Sequence, residues 1–267
     1  MSNVRYTHGH HDSVLRSHRW RTAENSAAYL LPHLHPSLSL LDVGCGPGTI
    51  TTDLATRVAP GPVIGIDSSE AVIDEARASA ARSGPSSVTF EVGDLFDLRF
   101  EDDTFDVVHA HQVLQHVGDP VAALTEMRRV CRPGGVVAVR DGDYPTFRYF
   151  PDSPGLARAL EAYGAVTRIN GANWDAGRRL LHWARAVGFT SVAPSASSWC
   201  FATPEEREWW GGLWAERFTR SALAEQLVAG GVASPEDLDG FADAWRSWAA
   251  SPDGWFAMIH GEIIATV

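Results

Sequence analysis

Apolar and polar positions fall along this chain in alternating blocks. Residues 1–35 form a polar lead-in, with a helix predicted over Thr22–Leu31 and ended by Pro32. Ser39–Val43 is an apolar run that stops at glycines, the pattern of a buried parallel strand. Thr49–Val58 reads as a helix broken by Ala59-Pro60-Gly61-Pro62, and Val63–Ile66 as a second strand ending at Asp67. An alanine-rich helix over Ser69–Arg82 stops at Gly84-Pro85, and Val88–Val92 and Phe105–Ala110 read as the third and fourth strands. Asp119-Pro120 starts a helix, with Asp as cap and Pro at the first helical position. It ends before Pro133-Gly134-Gly135, and Val136–Arg140 is the fifth strand.

The second half is less regular. Asp175–Gly188 is predicted as a crossover helix, Phe189–Cys200 as a sixth strand and Trp255–Val267 as the last. Tyr144–Trp174 and Thr203–Gly254 interrupt the alternation and are too long for plain loops. Strands alternating with helices imply a parallel sheet covered on both faces, with ligands at the carboxyl ends of the strands.

The glycine segment Leu40-Leu41-Asp42-Val43-Gly44-Cys45-Gly46-Pro47-Gly48-Thr49 joins a strand to a helix. Its glycines allow a tight turn and close approach to a ligand. A dinucleotide fingerprint would place glycine where Thr49 stands, so no pyrophosphate loop is defined. Asp67 ends the next strand, where a carboxylate can take both hydroxyls of an adenosine ribose or simply cap the following helix.

The glycine segment resembles motif I of the class I S-adenosylmethionine-dependent methyltransferases. Ile64-Gly65-Ile66-Asp67, Glu91-Val92-Gly93-Asp94-Leu95, Phe105-Asp106-Val107-Val108 through Leu114-Gln115-His116, and Glu126 through Gly135 resemble the blocks that follow it. The resemblance spans residues 38–143 and is nearest the ubiquinone and menaquinone C-methyltransferase branch, which includes natural-product enzymes. It implies an α/β, Rossmann-like, seven-stranded, mostly parallel sheet with helices on both faces. Residues 1–35 would form an N-terminal cap, and residues 144–174 and 203–254 helical lids. It also implies S-adenosylmethionine as cofactor and S-adenosylhomocysteine as product.

By the same resemblance Gly44 and Gly46 pass under the methionine part, and Asp42 binds its amino group through water. Asp67 holds the ribose, and Asp94 with the Leu95 backbone reads adenine. The backbone around His109–His111 faces the sulfonium. Cys45, Ser68 and Gly93 complete the cofactor set. Gln115 and His116 open the next turn.

Methyl transfer from a sulfonium needs alignment of donor and nucleophile, and a general base where the nucleophile carries a proton. His111, at the end of strand four, is the first candidate base, with a structural role as its alternative. Asp141, Asp143 and Tyr144 follow strand five and face either substrate or solvent. Tyr6 and His11 line the pocket if the N-terminus folds over it, or belong to a frayed end. His8, His10 and His11 have no specific metal spacing, and His109 and His111 stand where metal-dependent O-methyltransferases would resemble their family by an Asp. No metal is expected.

Composition narrows the classes. The net charge of −11 disfavours nucleic acid as substrate. All 22 basic residues are arginine, so the Tyr-x-x-x-Lys chemistry of short-chain reductases is excluded. His109-Ala110-His111-Gln112 departs from the Asn/Asp-Pro-Pro-Tyr of nucleic-acid amino-methyltransferases. No apolar run reaches membrane-spanning length and the first residues lack a signal-peptide core. Cys45, Cys131 and Cys200 fit thiols of a reducing cytoplasm. Nine of ten tryptophans lie from Trp174 onward, and all of these but Trp183 fall in or beside the two insertions. They either line a pocket for an apolar, aromatic acceptor, pack lid helices onto the sheet, or bury a homodimer interface. A protein that keeps the cofactor pocket but binds or cyclises without methyl transfer is the alternative function.

Overall fold

The computed structural model describes residues 7, 11–83, 85 and 87–267. Tyr6, His8 and His10, candidates of the N-terminal cluster, lie outside the described residues.

The chain enters through α1 (Asp12–Arg19) and α2 (Ala23–Ser26). The expected helix over Thr22–Leu31 is therefore cut short. Thr22 and Asn25 cap α2 reciprocally, Ala27 leaves helical geometry at φ −137°, and a 3₁₀ turn follows at Leu31–His33. Helix α1, which the polar lead-in did not suggest, buries Val14 and Ser17.

Next come β1 (Leu40–Val43), α3 (Thr49–Val58), β2 (Val63–Asp67), α4 (Glu70–Ser83), β3 (Val88–Val92) and β4 (Phe105–His111). Helix α5 (Pro120–Val130), capped by Asp119 through the Ala122 N–H, leads to β5 (Cys131–Gly142). The order β3-β2-β1-β4-β5 is all parallel, and it reverses between β1 and β4, where a ligand crevice opens.

Beyond β5 the chain forms β6 (Arg148–Phe150), α6 (Pro154–Ile169), α7 (Leu180–Val187), β7 (Ser191–Phe201), α8 (Pro204–Arg220), α9 (Ala222–Ala229), α10 (Pro235–Ala250) and β8 (Trp255–Thr266). Strand β8 runs antiparallel to β5, β6 and β7. The sheet thus has eight strands rather than seven, because short β6 pairs with the start of β8. The crossover expected over Asp175–Gly188 is a 3₁₀ turn at Gly177–Arg179 followed by α7.

Alternation along the strands sorts the core. Leu41, Val43, Val108 and Val139 point toward α5 and α7. Leu40, Val63, Val107 and Ala138 point toward α2 and α3, with Phe90 and α4 beside them. A separate aromatic core joins α6, α8, α9 and α10 to β7 and β8, with Trp214 and Trp245 stacked at 5.4 Å. Among the described residues no helix is long and apolar enough to cross a membrane.

Candidate functional site

A cavity of about 830 Å³ lies at the carboxyl ends of β1, β2 and β4, under α1 and α8. Its first wall is the glycine turn. Gly44 and Gly46 have φ of +69° and +56°, a region that favours glycine. A Cβ on Gly44 would strike Val113 at 2.4 Å, so this glycine is needed for packing. A Cβ on Gly46 would come no nearer than 3.8 Å, to His18 Nδ1. The backbone at Gly46 is thus left open to the cavity.

Asp67 anchors this turn. Its carboxylate accepts from the Gly46 N–H at 3.1 Å and the Ser69 N–H at 3.0 Å, and it still lines the cavity. Asp94 accepts from the Phe96 N–H at 2.9 Å and remains exposed. Cys45, Ser68, Gly93 and Leu95 line the same end.

Asp42 lines the cavity, whereas His109 sits deeper than the sequence suggests. Parallel pairing of β1 with β4 puts them side by side. His109 Nδ1 donates to Asp42 Oδ1 at 2.7 Å, and the Thr51 hydroxyl donates to Oδ2 at 2.5 Å. The Asp42 carboxylate is therefore committed to the floor, and His109, wholly buried, is not among the lining residues.

The opposite end is aromatic. Trp20, Trp199, Trp209, Trp210 and Trp214 line it, with Tyr144 and Met258. Trp174, Trp245 and Trp248 pack instead within the helical layer, and Trp255 lies on the surface. His111 lines the cavity at 5% exposure, and neither ring nitrogen has a hydrogen-bond partner. Burial, followed by the charges of Arg21 and Arg140, holds its imidazole well below the usual histidine range. His116 is pushed down to about 3 by burial and Arg21. Both rings are uncharged at neutral pH.

Asp141 does not face the cavity, contrary to expectation. It is wholly buried and accepts from the Gln115 N–H at 3.1 Å, so it fixes the 3₁₀ turn Leu114–His116. Burial raises its pKa to about 7. Asp143 is taken by a two-bond pair with Arg178, at 2.6 and 2.8 Å. Tyr144 does line the cavity, and its hydroxyl accepts from Gln115 Nε2 at 3.3 Å. His11 is the N-cap of α1, accepting from the Ser13 N–H at 3.2 Å, and is not a lining residue.

Several lining residues escaped the sequence reading. Gln112 follows β4 at φ +55°, a costly conformation for a non-glycine and a frequent mark of functional sites. It accepts from Arg21 at 2.6 Å and lies 2.9 Å from His260 Nε2. Arg217 of α8 donates to the Ser17 hydroxyl at 2.7 Å. No local spacing betrays these residues, because their partners lie 91, 148 and 200 positions away. Among the described residues no three His, Cys, Asp or Glu side chains converge to hold a metal.

A parallel sheet that reverses beside a glycine turn, with carboxylates after the second and third strands, defines a class I methyltransferase. Residues 34–178, more than half of the chain, match the family described as Methyltransferase domain. An uncharacterized methyltransferase of Schizosaccharomyces pombe is 34% identical over 97% of this chain and 95% of its own. YcgJ of Bacillus subtilis superposes with a TM-score of 0.61 at 17% identity, covering 91% of this chain and 98% of that one. Phosphoethanolamine N-methyltransferase 2 of Haemonchus contortus, solved with S-adenosyl-L-methionine, gives 0.54 at 19% identity, covering 90% and 51%. The chain belongs to the S-adenosylmethionine-dependent methyltransferases.

Proposed function

We propose that this enzyme methylates a small apolar or aromatic molecule held between the strand ends and the helical layer. The observation that carries the reading is the cavity itself, which runs without a break from the glycine turn to the tryptophan wall. Small-molecule sites are mostly apolar with a few placed polar groups. A deep, largely aromatic cavity of this kind, with the net charge of −11, supports a small molecule over nucleic acid as acceptor. The free thiols Cys45, Cys131 and Cys200 suit the cytoplasm.

The residues present fit S-adenosylmethionine. The open backbone at Gly46 leaves room for the methionine part, Asp67 stands ready for the ribose hydroxyls, and Asp94 with Leu95 stands at the adenine end. Gly44, Cys45, Ser68 and Gly93 shape the wall. Asp42 and His109 brace the turn from beneath. The donor supplies a methyl group already activated on a sulfonium. The protein's part is alignment, worth up to about 7–11 kcal/mol in favourable cases.

His111 faces the acceptor. An uncharged imidazole with both nitrogens unpartnered can accept a hydrogen bond from an acceptor hydroxyl and so orient it, and its low basicity in the free pocket makes that alignment its first contribution. Tyr144 and Gln115 set the floor beside it, and Asp141 holds Gln115. Helices α6, α8, α9 and α10 act as the lid, and α1 closes the third side.

Incubation with methyl-labelled donor and a panel of phenols, indoles and quinols tests the proposal, read by mass spectrometry. A product about 14 mass units heavier is expected, the increment of one methylation by displacement. Methylation of large, highly charged acceptors with none of the panel would overturn it. Donor binding by calorimetry in chelator is expected to persist; strict dependence on a divalent ion would sink the metal-free reading.

A further inference from the structure

A second, smaller cavity of about 220 Å³ adjoins the aromatic end of the first. Two residues, Trp20 and Trp199, line both. The other walls of the second cavity come from α2, from β7 and from the Arg140–Glu262 pair, which meets at 3.1 Å. Trp20 lies at the surface at 37% exposure, whereas Trp199 is buried at 6%. The partition between the cavities is therefore the Trp199 indole, with Trp20 set edge-on against it at 5.3 Å.

Trp199 is held from several sides. Its N–H donates to the Asn25 carbonyl at 2.8 Å, and Asn25 is fixed in turn by capping α2. The Arg140 guanidinium lies 5.0 Å from its ring centroid and that of Arg21 5.7 Å. His260 packs on it at 4.3 Å and His111 at 5.8 Å. A side chain locked by packing and a hydrogen bond makes a rigid wall. An acceptor whose reacting group meets His111 is therefore stopped by the neighbouring indole in this direction. Methylenes that find room in an apolar cavity gain affinity, and one pressed into a closed wall loses it.

We infer that Trp199 sets the length of the acceptor: its indole closes the acceptor cavity against the second cavity, and a smaller side chain there joins the two into one longer site. The inference rests on the acceptor reading above and adds the residue that limits acceptor size. Trp199 acts by shape and takes no part in the chemistry.

A series of 4-alkylphenols, from methyl to octyl, tests it, with binding measured by calorimetry and S-adenosylhomocysteine present. In the parent each methylene is expected to add about fourfold to affinity until the chain meets Trp199, after which affinity drops about tenfold. In Trp199→Ala the break is expected to move to longer chains, so that the first members the parent rejects bind about tenfold tighter to the variant. The gain per methylene should be smaller there, because the tail enters a chamber walled partly by Arg140 and Glu262. Trp199→Leu is expected to fall between, and Trp199→Phe near the parent. These two carry the comparison where Trp199→Ala does not fold. All are expected to bind S-adenosylhomocysteine within about threefold of the parent.

Affinity that climbs through octyl in the parent without a break overturns the inference and leaves the acceptor reading standing. A break at the same length in Trp199→Leu as in the parent overturns it too. So does an equal shift in Trp210→Leu, because Trp210 lines the first cavity but not the second. A loss of S-adenosylhomocysteine affinity in Trp199→Leu that matches the change in phenol binding would place Trp199 in the donor site instead. No binding by any member at millimolar concentration overturns both this inference and the acceptor reading. Binding of S-adenosylhomocysteine to the parent reports separately on the methyltransferase reading.

Discussion

The two ends of the cavity are built by different means. At the glycine turn the contacts are mostly local and use backbone: Asp67 holds the Gly46 N–H across 21 positions and the Ser69 N–H across two. At the tryptophan end the contacts are made by side chains from distant segments. Arg217 meets Ser17 across 200 positions, and the Trp199 indole donates to the Asn25 carbonyl across 174. A site made of backbone turns tolerates change in the side chains around it. A site made of convergent side chains can be re-cut by single substitutions, so one scaffold can keep its donor while acceptors change.

The largest test strikes the aromatic end. Trp214 is 1% exposed and stacked on Trp245. Trp214→Ala is expected to cost about 3–5 kcal/mol of unfolding free energy, measured by urea titration. Donor affinity, measured by calorimetry well below the transition, is expected to stay within about threefold, as for an interaction that was never direct. A parallel collapse of donor affinity would show that the two ends fold as one unit and break the comparison.

Next in size is a pH effect from the floor between them. Burial raises the Asp141 carboxyl from 3.8 in its ordinary state to about 7. The folded protein therefore holds a proton that the unfolded chain has released between roughly pH 4 and pH 7. The contribution of Asp141 to stability falls as pH rises through that window and levels off above it, by at most about 4 kcal/mol, while the depressed His111 and His116 contribute in the opposite sense below about pH 6.5. Asp141→Asn keeps an acceptor for the Gln115 N–H and carries no charge. Its urea midpoint is expected to gain on the parent's as pH rises through that window and to exceed it above pH 7. A difference between variant and parent that stays flat or shrinks from pH 4 to pH 7 would reverse the assignment.

The same contrast explains what was legible in the sequence. Strands β1 to β5 and the glycine turn were readable because they rest on period-two burial, glycine positions and cap residues, all short-range signals. Asp119 capping α5 is one such case. Asp42 and His109 were placed at the right strand ends, but only Asp42 lines the cavity, and His109 lies deeper. Only the β1–β4 register reveals that they satisfy each other. Asp141 followed the same error: its strand was right, yet the turn at Leu114–His116 consumes its carboxylate. The α1 helix was missed because its apolar content is sparse, with Val14 and Leu15 its only large apolar residues. The tryptophan insertions could be flagged by composition alone. Composition could not sort Trp210 and Trp214, which line the cavity, from Trp245 and Trp248, which pack behind them.

A smaller effect is expected at the glycine end. Asp67→Ala removes the acceptor of the Gly46 N–H and the carboxylate assigned to the donor ribose. Donor affinity is expected to fall by about 1–3 kcal/mol, read by calorimetry. Unchanged donor affinity would reduce Asp67 to a brace for the turn.

The smallest effect concerns α1, the element that touches both ends. It pairs with α4 through Arg19 and Glu75 at 2.6 Å, and with α8 through Arg16 and Glu216. These side chains are 30–43% exposed, so each pair is expected to contribute only about 0.2–1 kcal/mol. Burial holds α1 more firmly, through Val14 at 1% exposure and Ser17 under Arg217. Glu75→Gln and Glu216→Gln are therefore each expected to shift stability by less than about 1 kcal/mol, and salt near 1 M to erase the difference. Donor dissociation, followed by tryptophan fluorescence in stopped flow, should quicken by less than about fivefold in either variant, the rate equivalent of that energy. A loss of several kcal/mol in one variant would mean that charge rather than burial seats α1. The helix would then couple the two ends, and a change on the α8 side would be felt at the glycine turn.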